Sequence, residues 1–218
     1  MPNRCYTVLV FHGNDKEITD FRYKLEEYTS KNYMENGFGP TWLGNVLCGA
    51  GLGDHIDSKV DCIRCRGAVE WIDDIESNGD DDSMLRVAMT SAWSPAISMW
   101  TRVISALKYE TIIFTFCAEE PGCELYAKYD PLGDFDDKYY VDTLLCGEDG
   151  NNKDLCRIQD TRYYASDEHL IEDLQRLLES TEVNIKNLIA KAHMSTFADE
   201  DSYISIHTYE DVNLEDCD

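Results

Sequence analysis

Cys62 and Cys65 stand in the run "CIRC", a C-x-x-C spacing that can supply half of a tetrahedral zinc site. A second close pair must complete such a site, and the candidates are Cys117 with Cys123, or His55. None of these has knuckle spacing. In an extended segment residues 62 and 65 also point to opposite faces. Glu119 and Glu120, with Glu124 beyond a Pro-Gly turn, offer different chemistry. Carboxylates brought close across a hairpin split their pKa values and can divide acid and base roles. No matched histidine or nucleophile motif accompanies them, so an acidic hairpin tip is the simpler reading. The five histidines, at 12, 55, 169, 193 and 207, show neither H-x-x-x-H nor H-E-x-x-H spacing. "CGAGLGD" (48–54) has glycines but no Lys-Ser/Thr ending, so it lacks the parts of a phosphate loop. Neither a metal nor a cofactor is expected.

Charge is the loudest compositional feature. Forty-three acids face nineteen bases, for a net charge of −24. Such a field repels nucleic acid and anionic membranes and attracts basic surfaces. Asp73, Asp74, Glu76, Asp80, Asp81 and Asp82 fall around one expected hairpin, and Asp130, Asp134, Asp136 and Asp137 fall in one loop. Asp199, Glu200 and Asp201, then Glu210, Asp211, Glu215, Asp216 and Asp218, crowd the C-terminal region. Duplex DNA carries one charge per ~1.7 Å of axis, and a hairpin plus a loop can present a comparable density on one face. Acids also suit turns and keep surfaces soluble, which is the plainer explanation. The hairpin and loop acids are the candidate partner-binding residues.

Those groups need elements to hold them. "RCYTVLVFH" (4–12) is rich in β-branched and aromatic residues and predicts a strand. Asp15 can cap a helix from Lys16 to about Lys31, with Phe21, Leu25 and Tyr28 on one face. A short helix capped by Thr41 would bury Trp42, Leu43, Val46 and Leu47. Residues 60–76 predict a strand kinked at Gly67, and "SMLRVAMTSAW" returns antiparallel with Leu85, Val87 and Met89 on one face. In "TSAWSPAISMW" (90–100) Trp93 closes that strand, Ser94 caps a helix and Pro95 takes its first turn. Residues 110–120 and 123–130 predict another antiparallel pair around "PGC". The polar stretch 147–154 reads as a boundary. Beyond it, Ser166 caps a helix striped by Leu170, Leu174, Leu177 and Leu178, a second helix carries Leu188 and Ile189, and residues 203–209 alternate as a closing strand.

The order resembles a split β-α-β arrangement, so the expected class is α+β: an antiparallel sheet with helices on one face. Residues 1–147 form the expected first domain. Residues 148–218 form a helical C-terminal extension with a closing strand, packed on that domain. No run of about 18 apolar residues is present to span a bilayer, and no small-residue cleavage site follows the N-terminal apolar run. The expected location is therefore cytoplasmic. Nine cysteines, an odd number, are expected to be reduced there.

Several motifs together resemble a family of phage and mobile-element proteins known only as a domain of unknown function. They are "MPNRCYTVLVFHG", "WLGNVLCGAGL" (42–52), "CRGAVEWID" (65–73), "TSAWSPAISMW" and "CAEEPGCELYAKYDP" (117–131). The resemblance covers most of residues 1–145. It implies a ferredoxin-like core and a phage or prophage origin within a bacterial host cell. It implies no reaction, because the family has no assigned catalytic residues to carry over.

Charge and resemblance together lead to one expectation. The chain is a non-enzymatic acidic inhibitor, a nucleic-acid mimic or anti-CRISPR-like protein. Its partner is a basic nucleic-acid-binding protein such as a defence nuclease, with no direct nucleic acid and no membrane. The alternatives are a metal-binding or enzymatic module using Cys62/Cys65 or Glu119/Glu120, and a ferredoxin-like RNA-binding module. Exposed aromatics with basic edges would mark the last, and the net charge counts against it.

Overall fold

Strand β1 (Arg4–Gly13) lies inside a sheet because both of its edges find partners. In the computed structural model, the described residues are 3–35, 38–56, 58–149, 152–194 and 202–214, with 145–149 and 152–159 described by backbone alone. After β1 come α1 (Asp15–Tyr28), α2 (Leu43–Gly49), β2 (Gly67–Ile72), β3 (Glu76–Gly79) and β4 (Asp82–Ala92). Then follow α3 (Ile97–Leu107), β5 (Ile113–Glu120), β6 (Leu125–Tyr129), β7 (Tyr139–Asp149) and β8 (Asn152–Tyr164). The chain continues with α4 (Asp167–Leu177), α5 (Ile185–Met194), β9 (Tyr203–Thr208) and β10 (Glu210–Asp211). The class is α+β. No helix among the described residues is long and apolar enough to cross a membrane.

Two compact units are present, residues 1–135 with 210–218, and residues 136–209. In the first, the strand order is β10-β6-β5-β1-β4-β2, with β3 also paired to β4. Every pairing is antiparallel except β10 with β6. Alternation along β1 sends Cys5, Leu9 and Phe11 into the core that α1, α2 and α3 also enter. Phe11 packs edge-on against Phe21 of α1 and Trp100 of α3, with ring centroids 4.9 and 5.4 Å apart, and lies 5.6 Å from Phe114 of β5. Trp100 buries its one polar atom by donating from Nε1 to Met89 Sδ at 3.3 Å.

Helix starts depart from the sequence reading by a residue or two. Asn14, not Asp15, caps α1, its Oδ1 accepting from Glu17 N–H at 2.8 Å. Trp42 precedes α2 without a side-chain cap, so Thr41 does not serve there. Buried Asn45 ties down the approach instead, donating to the carbonyls of Gly39 and Pro40 and accepting from Tyr33 N–H. β2 begins only at Gly67, where a Cβ would overlap the Thr90 carbonyl oxygen and stand 2.8 Å from Ser91 Cα. The kink expected at that glycine is thus the first residue of the strand, and residues 61–66 lie outside the sheet.

In the second unit β7, β8 and β9 form a three-stranded antiparallel sheet in the order β8-β7-β9. α4 and α5 bury Leu170, Leu174, Leu188 and Ala192 with Val141, Ile204 and Ile206 of that sheet. Ser166 caps α4, as its sequence position indicates. This region is therefore a sheet with two helices and not a helical extension. β8 reads "NKDLCRIQDTRYY", too polar and irregular to announce a strand. The pairing runs from Tyr139↔Tyr164 to Asp149↔Asn152. The polar stretch 147–154, read as a boundary, thus joins paired strands, and the units part between Phe135 and Asp136.

All four tryptophans, at 42, 71, 93 and 100, lie in the first unit, so their fluorescence reports its unfolding. In urea, Phe11→Ala is expected to cost ~3–5 kcal/mol, and Gly67→Ala ~1–3 kcal/mol through the forced overlap. An unmoved midpoint for Phe11→Ala would mean that the ring cluster does not carry the core.

Candidate functional site

The two acidic groups separate in three dimensions. Asp73, Asp74, Glu76, Asp80, Asp81 and Asp82 are all exposed on and beside the β3–β4 hairpin, and every residue of β3 is exposed. Arg22 pairs with Asp74 at 2.9 Å and donates from Nε to the Asp73 carbonyl. Among the described residues, no ion pair reaches Glu76, Asp80, Asp81 or Asp82. Asp80 and Asp81 follow Gly79 in left-handed backbone, with φ of 54° and 61°. Aspartate tolerates that region better than most residues, so the turn itself favours these acids.

The second group does not form one exposed patch. Asp130 accepts from the backbone N–H groups of Asp134 and Phe135 at 2.7 and 3.0 Å. Asp134 is 10% exposed, its Oδ2 2.8 Å from His12 Nε2 and accepting from Thr115 Oγ1 at 2.5 Å. A short loop lying on the sheet must satisfy its own polar groups, and these carboxylates do so. Asp136, exposed, and Asp137, half-buried, belong to the second unit, so the four acids form no single group in either unit. Of the C-terminal acids, Glu210 and Asp211 form β10. Asp199, Glu200, Asp201, Glu215, Asp216 and Asp218 lie outside the described residues.

The pairs considered for catalysis or metal binding do not assemble. Cys62 is exposed and donates from Sγ to the Ile56 carbonyl, whereas Cys65 is buried. Among the described residues, no group of three or more His, Cys, Asp or Glu could hold a metal ion. Glu119 and Glu120 are neighbours on one strand and so face opposite sides of the sheet. Glu120 is 2% exposed, and its Oε2 has no hydrogen-bond partner among the described residues. Its hydrogen bond to Cys123 raises that thiol above its usual value. Burial pushes the Cys5 thiol up to about 11, against the pull of hydrogen bonds to Thr7 and Ser91. On the face of the sheet away from the helices, Trp71 Nε1 donates to Tyr6 Oη at 3.2 Å. Glu70 stands beside that pair and accepts from Thr90 Oγ1 at 2.6 Å.

A cleft forms instead at the strand-to-helix joint. β4 ends at Ala92, and Trp93 turns into left-handed backbone at φ 74°, a conformation bulky residues rarely adopt. Its N–H donates to the Asn3 carbonyl, and Ser91 Oγ donates to the Ser94 carbonyl at 2.7 Å. Ser94 therefore does not cap α3, which starts at Ile97 behind an Ala96 that makes no side-chain cap. Pro95 lies ahead of the helix and not in its first turn. The turn leaves Trp93 51% exposed.

Trp93 and Trp42, with Phe38, Cys62, Arg64 and Arg66, are among the residues lining a cleft of about 600 Å³. Phe38 stacks on Trp42 with ring centroids 5.7 Å apart. Along 63–66, Ile63 and Cys65 are buried while Arg64 and Arg66 are exposed. Register brings a further arginine close. Ala92 pairs with Arg4 of β1 on one side and donates its N–H to the Arg66 carbonyl on the other. Arg4, Arg66 and Phe38 share an adjoining hollow of about 330 Å³. No carboxylate is among the described residues lining the larger cleft, in a chain with 43 acids. None of these arginines figured in the sequence reading, which expected Trp42 to be buried and Trp93 to close a strand. The only available signal was a pair of arginines two apart, alternating with apolar residues in an acid-rich chain.

In the second unit, Asp173 accepts from Tyr164 and from Arg162 Nη1, and it pairs with Arg176. Burial acts to raise its carboxyl, but the bonds from Tyr164 and Arg162 outweigh this and hold it below the usual range. Burial and then the bond to Asp173 push the Tyr164 phenol up to about 12. These charges are paired with one another, so the cluster staples β8 to α4 and offers no unmatched group to a ligand. A carboxyl depressed on folding stabilises above its unfolded value near 3.9 and loses that contribution as pH falls through the folded one. Asp173→Asn is thus expected to cost ~1–3 kcal/mol at pH 7. The gap from the unsubstituted chain should close below pH ~4, read by hydrogen exchange over residues 162–177. A gap independent of pH would sever the carboxylate from the effect. No family model, curated protein or solved structure matches this chain.

Proposed function

We propose that the chain is a non-enzymatic acidic binding protein of the phage-associated kind its motifs resemble. It acts in the bacterial cytoplasm by docking on a basic, nucleic-acid-handling host protein and blocking it. The observation that carries this reading is the β3–β4 hairpin, where Glu76, Asp80, Asp81 and Asp82 are exposed and without ion pairs among the described residues. A hairpin edge lined with unpaired carboxylates presents negative charge where a nucleic-acid groove expects phosphates. We further read the first unit as ferredoxin-like. Support comes from the order β5-β1-β4-β2, in which β1-α1-β2 and β4-α3-β5 interleave with antiparallel neighbours. In this reading β6 and β10 are additions at one edge.

Neutralisation tests the hairpin. Glu76→Gln with Asp80→Asn, Asp81→Asn and Asp82→Asn keeps the left-handed turn, which asparagine tolerates and lysine would strain. Immobilised protein is challenged with bacterial lysate and washed at ~0.05 M and ~1 M salt, where the screening length falls from above 10 Å to about 3 Å. The expected result is a basic nucleic-acid-binding protein that is retained at low salt, released at high salt and displaced by duplex DNA. Retention by the neutralised variant should fall at least tenfold, the factor that ~1.4 kcal/mol gives. Equal retention by both would remove the hairpin from the interaction. Retention of no such protein by the unsubstituted chain would remove the inhibitor reading.

A further inference from the structure

We propose that the cleft beside Trp93 is a binding site for a planar aromatic phosphate of nucleoside monophosphate size. Its volume of about 600 Å³ falls within the range of small-molecule sites, and its wall is apolar with a few polar groups at the rim. Exposed Phe38 and Trp93 supply flat surfaces for a ring, with buried Trp42 stacked behind Phe38, and Arg64 and Arg66 supply guanidinium forks. Arginine suits phosphate because its fork bonds two oxygens at once, and its plane also stacks on aromatic rings. Arg4 lines the adjoining hollow together with Glu70, whose carboxylate accepts from Thr90 Oγ1, so the phosphate is assigned to Arg64 and Arg66 of the larger cleft.

Charge placement makes the case stronger than shape does. Arg22, Arg102, Arg162 and Arg176 each hold a carboxylate. Arg4, Arg64 and Arg66 have no ion pair among the described residues, a state that Arg86 of β4, outside the cleft, shares, although acids outnumber bases 43 to 19. Unmatched arginines around a cleft without carboxylates form a local positive site within a negative field. That wider field selects the occupant's size. A single phosphate group meets the arginines, while each further phosphate of a strand meets a protein of net charge −24. The ligand is therefore a free mononucleotide-like molecule and not a nucleic-acid strand. Trp93 adds an independent sign. Its left-handed backbone is strained for a tryptophan, and strain of this kind collects at ligand sites.

The test titrates the full chain, in low salt, with the four common ribonucleoside monophosphates, the matching nucleosides and a short single-stranded oligonucleotide. Tryptophan fluorescence and calorimetry follow binding. At least one monophosphate should bind saturably, at least about tenfold more tightly than its nucleoside. Arg64→Gln with Arg66→Gln, both exposed positions, should weaken it at least about tenfold. Trp93→Gly separates binding from folding: glycine relaxes the left-handed turn, so the melting temperature should hold or rise while affinity falls. The hairpin-neutralised variant should bind the nucleotide like the unsubstituted chain, which keeps this site's fate distinct from that of the inhibitor reading. Three results would each overturn the proposal. They are no saturable binding of any monophosphate up to ~1 mM, the concentration matching about −4.1 kcal/mol, affinity unchanged in the arginine variant, and an oligonucleotide that binds more tightly than the mononucleotide.

Discussion

The ring of Phe11 is the point on which the first unit depends. It projects from the strand that pairs with both β4 and β5, and it meets Phe21, Trp100 and Phe114, one ring from each of three other elements. That contact closes α1 and α3 over the same face of the sheet. With that face closed, the register of β1 against β4 decides which residues meet at the sheet's ends. Arg4 falls opposite Ala92, and the backbone of Arg66 meets Ala92 from the other side. Arginines more than sixty positions apart in sequence thereby share one rim as a consequence of hydrogen-bond register and core packing.

Charge is distributed with more structure than its total suggests. Some acids are internal braces, such as Asp130 and Asp134 under their loop and Asp173 between two arginines and a tyrosine. Others shape turns, as Asp80 and Asp81 do in left-handed backbone. The hairpin carboxylates without cation partners form a patch of negative charge, and the arginines of the cleft form a smaller patch of the other sign. Large single-sign fields steer partners at a distance, whereas a small enclosed patch of the other sign acts only at contact range. The two features therefore suit the two different kinds of partner proposed for them, a macromolecule at the hairpin and a small molecule at the cleft.

Elements with strong periodicity were legible before any coordinates. The alternation of β1, the 3.6-residue stripe of α1 and α3, the Ser166 cap of α4 and the alternating β9 all stand where their residues place them. The misses have specific causes. β8 lacks an apolar period, so one strand of the second sheet went unread and the polar stretch between β7 and β8 was read as a boundary. Ser94-Pro95 has the composition of a helix start, but Ser91 Oγ takes the Ser94 carbonyl and Trp93 turns left-handed, which delays α3 to Ile97. Glu119 and Glu120 looked like a pair until strand alternation sent them to opposite faces.

By itself the sequence determined the α+β class, most of the elements, the residues of the main core and the strongly negative field. Each of these follows from local pattern or from a sum over the chain, and neither needs to know which distant segments touch. Only the tertiary structure decided that Asp134 is internal while Asp80 is exposed, and that Phe38, Trp42, Arg64, Arg66 and Trp93 line one cleft. Local periodicity reports whether a side chain is buried and says nothing of which neighbour buries it. That neighbour is set by strand register and by helices closing over a shared face, and both arise from contacts between residues far apart in the chain.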